Sequence, residues 1–181
     1  MSDPVSALNG ASFQGFATIR EIGPLGMITL RAKGVKALDK AVKAITGTKL
    51  PAQRRMEING DKACGWMSPD EYLLIVPYAD VADALARLAK ALAGEHHLAV
   101  DASDARAIFR IEGDKAADVL RKLAPVDFDT LQPGEIRRSR VAQVAAAFWK
   151  DDTGFTLVCF RSVAGYVMGL LTHSAQPGSE L

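Results

Sequence analysis

The chain has 181 residues, of which 49% are hydrophobic and 24% charged, and 22 basic against 21 acidic side chains leave a formal net charge of +1. Disorder would require low hydrophobicity and high net charge, so this composition excludes a disordered chain. The near-neutral charge gives no general attraction to nucleic acid or to an anionic membrane, and neither is expected as a partner. Two cysteines, Cys64 and Cys159, form no CxxC metal or redox motif. Composition indicates a soluble, cytoplasmic domain.

The two ends of the chain differ from the rest in composition. Residues 1–16 mix Ser, Gly, Asn and Pro and lack the basic and apolar segments of a signal peptide, so we expect a flexible arm. Residues 176–181 are expected to form a frayed tail. No run of about 18 apolar residues occurs, so no membrane span is predicted. Residues 17–175 are expected to fold as a single unit.

The first half shows a recognisable order of elements. Two short strands, 18–23 and 26–33, are predicted, joined by a turn at Pro24-Leu25. Apolar residues at positions 38, 41, 42 and 45 have the spacing of an amphipathic helix that ends at Gly47. The elements predicted after it are strands 54–58, 62–66 and 72–77 and a helix over 80–93 with Asp80 as its N-cap.

The second half repeats that order: two strands, a helix, three strands, a helix. The predicted elements are strands 98–101 and 106–112, a helix over 114–123, strands 136–141, 144–149 and 155–160, and a helix over 163–173.

The two halves also match residue by residue. Residues 53–79 align with 136–162 without a gap, and Trp66 falls on Trp149. We therefore predict an internal duplication with repeats at about 17–95 and 96–175. Each repeat of about 80 residues would bury only a modest core, which favours packing of both into one domain. The predicted fold class is α+β, with duplicated β2-α-β3-α units.

Motifs with a known chemistry are missing from the sequence. It contains no phosphate-binding or dinucleotide-binding glycine loop, no GxSxG elbow and no HExxH pair. His96 and His97 are adjacent on a predicted strand and point to opposite faces, so a structural role is favoured over a shared metal. Cys159 lies within a strand and is predicted to be inert core. No catalytic residue and no metal site are predicted.

The strongest local charge signal is the arginine cluster Arg137, Arg138 and Arg140. On a strand, Arg138 and Arg140 project from one face and are able to hold a carboxylate or phosphate bidentately. A solvated sheet edge or an interface ion pair is the alternative interpretation. Asp101 belongs to a short acidic cluster in which Asp and Ser commonly stabilise a turn.

Longer segments carry a resemblance to known families. The run VDASDARAIFRIEGDKAADVLRKLAPVDF (100–128) resembles the folate-binding domain of the glycine-cleavage T-protein, aminomethyltransferase. The later runs PGEIRRSRVAQVAAAFW and GFTLVCFRSVAGYVMGLL look like the gamma subunit of heterotetrameric sarcosine oxidase, as does GWMSPDEYLLIVP in the first half. The resemblance implies a Cys before the Pro-x-Asp of the second half in many relatives, whereas this chain has Ala124, which argues further against thiol chemistry.

The resemblance implies a fold, a reaction and partners. The fold would be that of the T-protein folate-binding domain. The complex resembled oxidises sarcosine with oxygen to glycine and hydrogen peroxide, and the methyl carbon leaves as formaldehyde or methylene-tetrahydrofolate. Alpha, beta and delta subunits are the implied partners, and FAD, FMN, NAD, tetrahydrofolate and zinc are expected in them rather than in this chain. The chain itself would be a small accessory subunit without activity of its own.

Two hypotheses remain open at this stage. In the first, the chain assembles with those subunits, and Arg138 and Arg140, with the loop 128–134 before them, are the interface candidates. In the second, it is a free-standing folate-binding or one-carbon-transfer protein of the T-protein-like class. Arg137, Arg138 or Arg140 would then hold the glutamyl carboxylates of folate, and Asp101 would meet the pterin donors.

Overall fold

A computed structural model describes residues 4–181, and within them helices and antiparallel strands are mixed, as predicted. The strands are β1 (Ser12–Gln14), β2 (Thr18–Glu21), β3 (Gly26–Ala32), β4 (Met56–Asn59), β5 (Lys62–Ser68), β6 (Glu71–Val76), β7 (His97–Asp101), β8 (Arg106–Glu112), β9 (Ile136–Val141), β10 (Val144–Asp151) and β11 (Gly154–Phe160). The helices are α1 (Leu38–Thr46), α2 (Val81–Ala91), α3 (Ala116–Arg121) and α4 (Ala164–Ser174).

The chain divides into two compact units. Unit one contains the residues up to Pro24 together with Asp104–Leu181, and unit two contains Leu25–Ser103. The boundaries of these units cross the two predicted sequence repeats, 17–95 and 96–175, because the first strand of each repeat lies in the sheet of the other unit. The duplication of the sequence itself stays a prediction.

Unit two contains a five-stranded sheet in the order β4-β5-β6-β3-β7. The apolar positions of α1 and α2 pack on one face of it, against alternate residues of the strands such as Ile28, Leu30 and Leu74. Helix α1 ends where the sequence predicts, because Gly47 adopts a left-handed conformation (φ 74°) and its N–H donates to the carbonyl of Lys43.

Unit one contains a six-stranded sheet in the order β1-β2-β8-β11-β10-β9. Its core lies between one face of this sheet and the helices α3 and α4. Phe128 belongs to this core: its ring is 5.5 Å from that of Phe148 and 5.7 Å from that of Phe155, centroid to centroid. These aromatic contacts fix the loop that leads from α3 to β9.

The two short strands on either side of Pro24-Leu25 do not pair with each other. Strand β2 pairs with β8, so that Ile19 lies opposite Ile111, and β3 pairs with β6 and β7. The first strand of each predicted repeat therefore lies in the other sheet. Strand β2 belongs to the six-stranded sheet of unit one, and β7 belongs to the five-stranded sheet of unit two. Sequence neighbours usually pair, but the pairing of two short strands is decided by distant residues that local patterns do not reveal.

The segment expected to be a flexible arm, residues 1–16, is held by specific contacts over its described part, while residues 1–3 lie outside the described residues. Strand β1 pairs with β2. The carboxylate of Glu21, only 5% exposed, accepts hydrogen bonds from the Ser6 hydroxyl and from the backbone N–H groups of Leu8 and Gly10. In the expected tail, the hydroxyl of Ser179 donates to the carbonyl of Gln176.

Candidate functional site

The predicted arginine cluster lies on β9, the last strand of the six-stranded sheet. Arg138 and Arg140 are exposed and two residues apart, so they share one face of the strand. Arg137 points to the other face, is half-buried, and forms an ion pair with Glu135. The prediction that Arg138 and Arg140 project from one face is therefore confirmed, and Arg137 projects from the other face.

The loop before β9 differs from expectation. Residues 128–134 were expected to contribute to an interface, yet Phe128 and Leu131 are 3% and 1% exposed and belong to the core of unit one. The Nζ of Lys150 donates to the carbonyl of Leu131 at 3.2 Å, which adds a further tie to the loop. The exposed positions of this loop are Asp129, Thr130, Gln132 and Pro133.

Asp101 lies at the end of β7 in unit two, whereas the three arginines belong to unit one. Its Oδ1 accepts hydrogen bonds from the N–H of Ser103 at 2.9 Å and from its hydroxyl at 2.6 Å. The buried Ser103 hydroxyl in turn accepts from the N–H of Met27. Asp101 therefore stabilises a turn, the structural role that its neighbours in the sequence indicated. A folate-binding role for Asp101, Arg137, Arg138 and Arg140 stays a prediction.

A buried guanidinium that the sequence analysis did not single out organises one end of unit one. Arg110 on β8 is 8% exposed and donates to Thr156 Oγ1 at 3.0 Å, to Asp151 Oδ1 at 2.6 Å and to Glu112 Oε1 at 3.3 Å. Arg20 on β2 donates to the other oxygen of Glu112 at 2.7 Å. The network joins β2, β8 and β11 to the turn between β10 and β11.

The network shifts the acidity of both carboxyl groups. Hydrogen bonds from Arg20, and then from Arg110, lower the pKa of Glu112 and outweigh its partial burial. Burial by itself would raise the pKa of Asp151, but hydrogen bonds from Arg110 and Thr153 outweigh it, and this pKa is also lowered. Charges that satisfy one another in this way stabilise the fold, and they offer no unpaired acid or base for catalysis.

Both thiols are buried, and the ring of His97 contacts the backbone. Cys64 and Cys159 are free and buried, and burial raises the pKa of both, that of Cys159 to about 11. Such thiols remain protonated and unreactive near neutral pH. The Nδ1 of His97 lies 2.9 Å from the carbonyl of Glu95. Within residues 4–181, no three His, Cys, Asp or Glu side chains come together as a metal ion requires.

One contact that local patterns could not indicate joins the first residue of β8 to the last residue of β11. The guanidinium of Arg106 lies 4.3 Å from the centre of the Phe160 ring, and 47% of Phe160 is exposed. The contact depends on the register between β8 and β11, which places Arg106 directly opposite Phe160. An exposed aromatic ring with an arginine over it is typical of protein interfaces.

A helix that crosses a bilayer would need greater length and more apolar residues than any helix of residues 4–181 has.

Comparisons with known proteins agree on one family. The model of the sarcosine oxidase, gamma subunit family matches residues 32–176. The sarcosine oxidase subunit gamma of an Arthrobacter species is 31% identical over 149 residues, covering 80% of this chain and 72% of that protein. That of Corynebacterium sp. (strain U-96) is 33% identical over 138 residues, covering 74% of this chain and 66% of that protein.

Solved structures give the same result for the fold. A chain of heterotetrameric sarcosine oxidase from Corynebacterium sp. U-96, in complex with pyrrole 2-carboxylate, superposes with a TM-score of 0.79 at 26% identity, covering 88% of this chain and 83% of that one. The glycine cleavage system aminomethyltransferase T from Bartonella henselae gives a TM-score of 0.65 at 14% identity, covering 87% of this chain and 45% of that one. The second likeness shows the fold alone.

Proposed function

This chain belongs to the sarcosine oxidase gamma subunit family, and from that membership we propose that it is the small accessory subunit of a heterotetrameric enzyme that oxidises sarcosine. The observation that carries the proposal is the match of most of the chain to this family, in sequence and in fold. The chain therefore works in an enzyme as part of a complex, and the other subunits of that complex are its partners.

The finer assignments are part of the proposal. The reaction converts sarcosine to glycine and hydrogen peroxide, with the methyl carbon released as formaldehyde or methylene-tetrahydrofolate. FAD, FMN, NAD, tetrahydrofolate and zinc reside in the alpha, beta and delta subunits. Two features of this chain support its having a structural rather than a chemical role. Its carboxyl groups Glu112 and Asp151 are neutralised by arginine, and its thiols are buried.

We assign Arg138 and Arg140 to the assembly surface. Both are exposed on β9, the last strand of the six-stranded sheet. Arginine is enriched at protein interfaces, whereas lysine and glutamate are depleted there. Charge reversal here places like charges against a surface that is complementary to arginine, at a cost of several kcal/mol, roughly. The fold should survive the change because neither side chain contributes to the core.

Co-expression with alpha, beta and delta subunits of one sarcosine oxidase tests the proposal. The chain should co-purify with them, the complex should produce peroxide from sarcosine, and the isolated chain should not. The double variant R138E/R140E should lose most of the co-purification. The control K36E/K40E makes the same change of charge at exposed positions of unit two and should assemble normally. Peroxide production by the isolated chain would overturn the accessory role.

A further inference from the structure

Four residues on neighbouring strands of unit one form a continuous row across the sheet. Arg140 of β9 pairs with Ala145 of β10, and Phe160 of β11 pairs with Arg106 of β8. The register of β10 with β11, continued by one residue, places Ala145 beside Phe160. We call these four residues the arginine–phenylalanine row. The sequence alone does not reveal it, because its members come from four separate strands.

The row lies at one margin of the sheet, on the face turned away from α3 and α4. The neighbouring residues Ala107 and Cys159 are in the core beneath the helices, and side chains alternate along a strand. The next row on the same face contains Ala147, Val158 and Ile108, all of which are buried. On this face, most residues of the arginine–phenylalanine row are therefore exposed, whereas these three residues of the adjacent row are buried.

The row combines apolar area with positive charge. Phe160 is 47% exposed, Ala145 and Arg140 are exposed, and the guanidinium of Arg106 lies 4.3 Å from the Phe160 ring centre. Covering the Phe160 ring and the arginine next to it with a partner buries apolar area. Aromatic residues and arginine are enriched among the residues that contribute most of the binding free energy at interfaces.

The charge of the row indicates what covers it. Its four positions carry two guanidinium groups and no carboxylate, and exposed Arg138 lies two residues from Arg140 on the same face of β9. Arg140 has no hydrogen-bond or ion-pair partner among the residues that the structure describes. A complementary surface must therefore offer carboxylates at the β9 side and apolar contact over Phe160.

We propose that the arginine–phenylalanine row binds an acidic segment of another subunit of the heterotetramer, with a carboxylate on Arg140 and an apolar side chain over Phe160. The proposal rests on the function proposed above and adds the chemistry of the partner. A second copy of this chain is not the occupant, because two such rows face to face would bring guanidinium groups against one another.

The test is a binding titration of the purified chain against the purified complex of the other three subunits. R140E should raise the Kd at least about tenfold, and F160A by about the same factor, the scale of a hot-spot residue. R140K retains the positive charge but not the planar fork of donors, so its Kd should lie between those of the wild type and R140E. Higher ionic strength should reduce the effect of R140E and leave that of F160A, because only the first is a charge effect.

Matched controls separate this row from exposure or charge in general. Y166A removes an aromatic side chain of α4 with the same 47% exposure, and K40E reverses an exposed charge on α1. Both should bind as the wild type does. Thermal unfolding of each variant shows that the fold is intact.

Two outcomes would be negative in different ways. Normal binding of the wild type together with normal binding of R140E and F160A overturns the row as an interface and leaves the accessory role standing. Failure of the wild-type chain to bind the other subunits overturns the accessory role itself, and the row with it.

Discussion

Arg110 Nη2 and Asp151 Oδ1 lie 2.6 Å apart, so a guanidinium buried on β8 is tied to the turn that joins β10 to β11. Asp151 uses the same oxygen to accept from the backbone N–H groups of Thr153 and Gly154. One carboxylate thus shapes the turn and neutralises the buried charge, and through Glu112 the network extends to Arg20 on β2.

Removal of this carboxylate should therefore destabilise unit one. We expect D151A to lower the free energy of unfolding by about 2 kcal/mol, less than for a fully buried pair because Asp151 is partly exposed. R20A, which breaks an exposed pair with Glu112, should cost about 0.5 kcal/mol or less. Urea denaturation measures both. Equal costs for the two variants would contradict a special role for the buried guanidinium.

Stability should also fall in acid. The pKa values of Glu112 and Asp151 are lowered in the folded protein from ordinary values of 4.5 and 3.8. A lowered folded-state pKa means that the native state binds protons less readily than the unfolded chain. The contribution to stability is then fully present above the ordinary values and is lost as the pH falls below them, through the folded-state values.

Urea denaturation at a series of pH values from 7 to about 3 tests this expectation. The loss of stability between the neutral and acidic ends should be smaller in D151N than in the wild type, because that variant no longer titrates at this position. A pH dependence that D151N leaves unchanged would exclude Asp151 as a source.

A glycine in the same turn tolerates no side chain. Gly154 has φ 151°, and a Cβ there would lie 2.0 Å from the carbonyl oxygen of Ile111 on β8. G154A should therefore lower the free energy of unfolding by more than about 3 kcal/mol, since the backbone of β8 or of the turn itself has to move. G165A, in open space on α4, should instead stabilise by about 0.5–1 kcal/mol. Near-wild-type stability of G154A would contradict this packing.

Local patterns predicted most elements of the fold. Strands β8 and β9 have the predicted bounds, 106–112 and 136–141, because turn residues mark their limits: Gly113 follows β8, and Pro133 and Gly134 precede β9. The pairing of β2 with β8 was missed, because it depends on residues about 90 positions apart, as Ile19 and Ile111 are. Patterns within one strand carry no information about such a partner.

Features of the candidate site that depend on one strand could be predicted from the sequence, and features that depend on distant residues could not. Alternation along β9 was sufficient to place Arg138 and Arg140 on one face. The burial of Phe128 could not be predicted, because it depends on contacts with the rings of Phe148 and Phe155, which are about 20 or more positions away. The contact between Arg106 and Phe160 could not be predicted at all, since it requires the register of two strands that are distant in sequence.

The buried carboxylate of Glu21 fastens the N-terminal segment to β2. Its oxygens accept from the N–H of Leu8 at 3.0 Å and from that of Gly10 at 2.9 Å, and from the Ser6 hydroxyl at 2.8 Å. Hydrogen bonds to a charged acceptor are worth about 1.5–3 kcal/mol each, and their donors are left unsatisfied when the acceptor is removed. We expect E21A to release the segment locally while the rest of unit one stays folded.

Amide hydrogen exchange measures this release directly. In E21A the amides of Leu8 and Gly10 should exchange at least about tenfold faster than in the wild type, a change of about 1.4 kcal/mol in opening free energy. E21Q keeps one acceptor oxygen and should lie between the two. The amide of Leu74, in the core of unit two, serves as the internal control and should be unchanged. The contacts of Arg161 with the carbonyls of Val5 and Ser6 remain in E21A. Wild-type exchange at Leu8 and Gly10 in E21A would therefore assign the hold on this segment to Arg161 instead.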